Sequence, residues 1–291
     1  MAATAMSTPL TNIGEQERLG AMMVASDVDG ERFAWREAGH GAPLLLLHGL
    51  GGSRLSWEPQ LRALANGRRV VAWDLPGYGA SAPLDGDMTF TTLADAVVDF
   101  IGVLGADAVH LAGISFGGML AQYVAARSPS KVQSLTLLST SPAFGLDGTK
   151  PQEWRVARLA PLDEGLEPAD FADRVLASIA GPHISQEALA GQRAAMARVT
   201  SRGMRQAIDC LITHDSRPLL PDITAPTLCV VGELDEETPV TYAFALADLI
   251  PHARLVVIPH AGHLLNVEAP DAVNQLLDDH MQRSAARAAD R

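Results

Sequence analysis

Six largely apolar four-residue runs alternate with helical patterns along the chain, and this alternation restricts the fold more than any other feature of the sequence. The runs are Leu44 to Leu47, Val70 to Trp73, Val109 to Ala112, Leu135 to Leu138, Leu228 to Val231 and Leu255 to Ile258. They are too short for helices and too uniformly apolar for strands with a wet face, so they predict a parallel sheet covered on both sides. Helical patterns follow most of them: Glu58 to Ala65, Leu93 to Leu104, Met119 to Arg127, Tyr242 to Leu249 and Ala272 to Met281. Before the first run, Met22 to Ser26 and Arg32 to Arg36 flank Asp29-Gly30, a turn signal that predicts an opening antiparallel pair. The alternation breaks once. Residues 142–220 read as helices punctuated by Pro and Gly and predict a helical cap inserted into a core formed by 19–141 and 221–281. Residues 1–18 and 282–291 lack an apolar face and are expected as flexible tails.

With 291 residues, 47% of them apolar, one catalytic core with a modest insertion is within reach. The formal net charge of −12 repels phosphate backbones and anionic lipid, which argues against nucleic acid and membrane partners. No stretch approaches the roughly 20 apolar residues of a membrane span, and Met1 to Asn12 lacks the regions of a secretory signal. A cytoplasmic location is expected, and a homo-oligomer is compatible with the sequence. Cys210 and Cys229 lie in apolar surroundings without metal-ligand spacing and are expected as buried free thiols. Metal ligands, a phosphate loop and a dinucleotide fingerprint are not seen, so no cofactor is expected.

The chemistry concentrates in Gly113-Ile114-Ser115-Phe116-Gly117-Gly118, a G-x-S-x-G motif set between an apolar run and a helix. In that setting a strained turn lifts a serine hydroxyl above the end of a strand. A hydroxyl needs a base, and histidine, with an unperturbed pKa of ~6.5, suits the task. Of the nine histidines, His263 in Pro259-His260-Ala261-Gly262-His263 is best placed, on a loop after the last strand. His260 directly follows that strand and reads as a partly exposed strand-end residue. Asp235, after the preceding strand, is the candidate acid; Glu233, Glu236 and Glu237 read as loop charges. The order Ser115, Asp235, His263 differs from those of chymotrypsin and subtilisin. The backbone N–H groups of Phe116 and of Leu50, in His48-Gly49-Leu50-Gly51-Gly52, are candidate oxyanion donors. His48 itself reads as a loop brace.

These motifs, with Asp74-Leu75-Pro76-Gly77-Tyr78-Gly79-Ala80-Ser81, resemble the α/β-hydrolase superfamily over about residues 20–280. The resemblance implies an α/β fold with a mostly parallel eight-stranded sheet, helices on both faces and an inserted helical cap. Glu153 to Arg158 and Ala261 to Pro270 are similar to the 3-oxoadipate enol-lactonase branch, which opens a lactone in aromatic catabolism. That branch often has Arg-Gly-His-Gly after the fourth strand, where this chain has Leu75-Pro76-Gly77-Tyr78-Gly79, a form shared with carbon-carbon bond hydrolases. The implied activity is hydrolysis of a small-molecule carboxylic ester or lactone. Trp154, Arg155 and Arg158 are the expected substrate contacts in the cap. Two alternatives are carbon-carbon cleavage of the meta-cleavage type and a receptor-like protein that binds without turnover.

Overall fold

The computed structural model describes residues 25–289. Eight strands form one sheet: β1 (Ser26–Asp29), β2 (Ala34–Gly39), β3 (Ala42–Leu47), β4 (Arg68–Trp73), β5 (Val109–Ile114), β6 (Val132–Leu138), β7 (Thr227–Gly232) and β8 (Arg254–Ile258). Their spatial order is β1-β2-β4-β3-β5-β6-β7-β8. The pairs β1/β2 and β2/β4 are antiparallel and the remaining pairs parallel. The expected mostly parallel eight-stranded α/β architecture is therefore present. All six apolar runs lie within strands. The opening hairpin turns at Gly30, whose N–H donates to Phe33 O at 2.9 Å. Its first strand begins at Ser26, where the sequence reading had it ending; of the rest of that reading Ala25 lies outside the strand, and Met22 to Val24, like the expected tail 1–18, lie outside the described residues.

Burial explains why the strands read as continuous apolar runs. Every residue of β5 and β7 is buried, because both faces are covered. Alternate side chains separate two cores. Leu45, Leu47, Val71, Trp73 and Leu111 face Leu93, Val97 and Phe100 of helix α2 and Leu120 and Val124 of α3. On the other side Leu44, Leu46, Val70 and Ala72 face Leu61 of α1 and Val273, Leu277 and Met281 of the last helix. These helices are α1 (Glu58–Leu64), α2 (Phe90–Val103) and α3 (Phe116–Arg127). Between β6 and β7 the insertion contributes α4 (Pro151–Asp163), α5 (Ala172–Ile179), α6 (Gln186–Met196) and α7 (Ser201–Leu211). The chain closes with α8 (Val240–Leu249), the single turn α9 (Leu265–Glu268) and α10 (Pro270–Ala289). Residues 282–289, expected as part of a loose tail, instead continue α10. The Ser284 side chain is buried there and its hydroxyl donates to His280 O at 2.8 Å. The flat composition of that segment hides a helix propagated from the packed residues before it.

Two buried histidines tie these layers together. His110 on β5 shares a 2.8 Å hydrogen bond with the Ser134 hydroxyl of β6. His214, after α7, donates from Nε2 to Ser141 O at 2.8 Å and so fastens the end of the insertion to the end of β6. Burial lowers both rings to a pKa of about 4. Above an unfolded value of ~6.5 both states are neutral and these rings add no pH dependence. Between that pH and about 4 the unfolded chain takes up protons that the folded chain refuses, so stability falls as pH falls. Urea midpoints measured from pH 7 to 4 should decline in the wild type, and His110→Asn should flatten part of that decline; an unchanged slope in the variant would contradict it.

Candidate active site

Strand β5 delivers Ser115 directly into α3 through a backbone that few residues adopt, with φ 54° and ψ −120°. The turn is possible because glycines let three segments approach. A Cβ on Gly113 would lie 2.2 Å from Gly117 O, and one on Gly117 would lie 2.2 Å from Leu47 O. The Ser115 N–H donates to Leu138 O at 3.0 Å, which ties the strained residue to the end of β6. The G-x-S-x-G pattern thus reflects real steric need, and the serine stands at the carboxyl end of the sheet as the motif predicts.

His263 and Asp235 are brought together on the neighbouring loops. The ring Nδ1 of His263 lies 3.0 Å from each Asp235 carboxylate oxygen. Asp235 also accepts the Glu237 N–H at 3.0 Å, the Thr238 N–H at 2.8 Å and the Thr238 hydroxyl at 2.9 Å. Both residues are only 4% exposed. Burial alone would lower the His263 pKa, but the Asp235 carboxylate, aided by Glu237 and Glu268, outweighs it and the ring is raised above its ordinary value. Burial alone would raise Asp235, yet the His263 ring and the Thr238 N–H hold it below the usual carboxylate value. With Nδ1–H committed to a carboxylate, the free lone pair sits on Nε2. His263 and Ser115 line one cavity. Among the described residues the ring makes no hydrogen bond to Ser115; free-enzyme contacts of this kind are often loose before substrate binds.

The loop after β3 is held by His48. Its Nδ1 donates to Gly49 O at 2.8 Å, and its Nε2 accepts the Leu75 N–H at 3.0 Å. The Gly52 N–H also donates to Gly49 O, at 3.0 Å. A trans peptide points its N–H opposite its carbonyl, so these two bonds orient the Leu50 N–H as well. Neither that N–H nor the Phe116 N–H donates to a protein acceptor among the described residues. Gly49 lies close beside the serine: a Cβ there would be 3.3 Å from Ser115 Cβ. Tyr78 stacks on His48 at 5.6 Å and donates its hydroxyl to Leu50 O at 2.9 Å, which completes the brace.

The cavity has a volume of about 440 Å³ and is roofed by the insertion. Its walls are mainly apolar, including Phe171 and Leu176 near α5, Met196 on α6, and Met204 and Ile208 on α7. Trp154 and Arg158, expected as substrate contacts, do line it. Arg155 does not. Trp154 and Arg158 are four residues apart on one face of α4, and Arg155 is rotated from them, with its Nε 2.5 Å from Asp209 of α7. Arg158 lies over the Trp154 ring at 5.0 Å and donates to both Glu237 oxygens, at 2.9 and 3.2 Å. Glu237, read from the sequence as a loop charge, is therefore part of the cavity wall. Thr238 was also missed, although a Thr three residues after an Asp is a recognisable turn pattern. His260 is exposed, and its N–H donates to Glu233 at 3.0 Å, away from the cavity.

Comparison with known proteins gives the family. A family model described as alpha/beta hydrolase fold matches residues 42–270. The chain is 31% identical over 251 residues to the pimeloyl-[acyl-carrier protein] methyl ester esterase of Chromobacterium violaceum, covering 85% of this chain and 97% of that protein. A solved thermophilic esterase from Thermogutta terrifontis is 26% identical with a TM-score of 0.78, covering 90% of this chain and 99% of its own. The enol-lactonase of Burkholderia xenovorans shares the fold, with a TM-score of 0.76 at 24% identity over 88% of this chain and 100% of its own.

The opposed influences on His263 give a direct test. NMR titration should find its pKa raised in the wild type, and Asp235→Asn should lower it because burial then acts with less opposition. A ring whose titration ignores this substitution would mean that Asp235 is not its partner.

Proposed function

The chain belongs to the alpha/beta hydrolase fold family, and from that premise we propose that it is a serine hydrolase that cleaves a carboxylic ester or lactone through an acyl-enzyme. The observation that carries the proposal is the meeting of a serine on a strained elbow with a buried His263–Asp235 pair at one largely apolar cavity. A structural protein has no need of that combination.

In this reading Ser115 Oγ attacks the carbonyl carbon while His263 Nε2 takes the hydroxyl proton. Asp235 stabilises the imidazolium and keeps Nδ1 protonated. Negative charge on the former carbonyl oxygen is met by the Leu50 and Phe116 N–H groups; loss of one such donor elsewhere costs about 10²–10³ in rate. The tetrahedral intermediate collapses as His263 returns the proton to the leaving oxygen, which remains attached to the acyl chain when the substrate is a lactone. Water then attacks the acyl-enzyme and gives a proton to His263, which passes it to Ser115 Oγ as the C–O bond to the serine breaks and the acid leaves. Trp154 contributes apolar surface to the substrate. Arg158 is neutralised by Glu237 and serves the rim of the cavity better than it would serve a substrate carboxylate.

Esters and lactones fit better than carbon-carbon substrates because an oxygen leaving group needs only the proton on His263. A carbon leaving group must first be stabilised by ketonisation, a step that esters and lactones do not need. Ser115→Ala should abolish ester turnover while preserving the fold, and an organophosphonate should label Ser115 in the wild type. Undiminished activity in the variant would reject the nucleophile. A comparison of kcat/KM for an enol-lactone, simple lactones, a short aryl ester and a ring-cleavage dienoate tests the bond cut. A preference of about tenfold for the dienoate, ~1.4 kcal/mol in differential transition-state binding, would overturn the ester and lactone reading.

A further inference from the structure

Three consecutive backbone N–H groups around His263 are satisfied from outside their own loop. Gly262 N–H donates to Glu268 Oε2 at 2.6 Å, and Leu264 N–H donates to Glu268 Oε1 at 2.9 Å. The His263 N–H between them donates to Ile179 O at 3.2 Å, at the end of α5 in the insertion. One carboxylate thus holds the chain on both sides of the candidate base, with each oxygen committed to one donor. Gly181 makes the arrangement possible. A Cβ there would fall 2.2 Å from Glu268 Oε2 and 2.7 Å from Gly262 N, so only glycine lets the insertion pass this close.

We propose that Glu268 is the positioning residue of the candidate base: it grips the backbone before and after His263 and, together with the Ile179 carbonyl, fixes the loop that aims the ring between Asp235 and Ser115. The inference rests on the serine-hydrolase reading above. Because Nδ1 must meet Asp235 while Nε2 reaches a hydroxyl across the cavity, a small rotation of this loop spoils both contacts. Misplacement by about 1 Å costs on the order of 10²-fold in comparable settings. A second consequence is mechanical. The third N–H is served by the insertion, so seating of the roof and seating of the base are one event.

Glutamine tests this more sharply than alanine. The side chain of Glu268→Gln has nearly the same shape, but its amide nitrogen must face one of the two N–H donors. Full-length Glu268→Gln and Glu268→Ala should be compared with wild type on a short aryl ester, with Ser115→Ala as control and thermal melting to register folding. The charged groups facing His263 are Asp235 and Glu237 on the loop after β7, Glu268 itself, and Arg158 of α4 through its pair with Glu237. The expected result is a kcat lowered by about 10- to 100-fold with KM little changed, an acid limb of kcat/KM moved to lower pH, and a perturbed resonance of the His263 Nδ1 proton. A kcat within about twofold of wild type and an unmoved acid limb would overturn the proposal, as would a loss that follows only the folded fraction. If Glu268→Gln does not fold, Gly181→Ala displaces the same carboxylate from the insertion side and should give the same kcat and acid-limb changes; normal values there overturn it. Full activity in Ser115→Ala would instead remove the underlying reading and this inference with it.

Discussion

The close approach of β3, β5 and α3 at Gly113 and Gly117 is the constraint on which the rest depends. It places Ser115 in a left-handed backbone that costs of order 1–3 kcal/mol, a strain tolerated only where surrounding structure fixes it. Here the fixation is the buried centre of the sheet: β5 is covered on both faces, and the serine N–H is tied to Leu138 at the end of β6. The elbow therefore has no freedom to relax without breaking the centre of the molecule. The loops that carry Leu50, Asp235 and His263 start from the carboxyl ends of strands in the same sheet and inherit its rigidity.

Around that fixed point the structure uses buried polar groups as braces. Asp74 is wholly buried; it accepts the Arg54 N–H at 2.9 Å and lies 3.3 Å from Arg198 of the insertion. Arg54, itself only 3% exposed, reaches Asp29 at 2.5 Å, so one chain of charges runs from the opening hairpin to the roof. Breaking one member of such a buried set leaves an uncompensated charge, which costs far more than the net gain from forming it. Asp74, Arg54 and Arg198 do not line the cavity. They brace the segments around it.

Much of this was legible in the sequence for a definite reason. The central strands, β5 and β7 above all, declare themselves because burial on both faces removes most polar residues from them, and the elbow declares itself because steric crowding admits only glycine. Ser115, Asp235 and His263 could be proposed because each follows a recognisable strand. The weaker readings have equally physical causes. Strand β1 is an edge strand with an exposed, polar pattern, so its span left little trace in composition. The extension of α10 to Ala289 depends on packing rather than on an apolar stripe. Arg155 was grouped with Trp154 and Arg158 by sequence proximity, whereas helical rotation sends it to Asp209. Glu268 escaped notice because its partners are backbone N–H groups, which carry no residue signature.

The seat of the insertion on the core has a consequence for how such a protein can diverge. Two of its anchoring bonds are made by main chain alone: Ile179 O accepts the His263 N–H, and Arg198 O accepts the Gly79 N–H. A carbonyl is supplied by any residue, so these bonds constrain the path of the chain and leave most side-chain identities free. Sequence drift across α4 to α7 can therefore reshape the chamber above the serine while the roof keeps its place, provided that Gly181 remains small and its carbonyl neighbour stays in register. The shape of the chamber and the seat of its roof are thus written in different features of one chain, the first in side chains and the second in the path of the backbone.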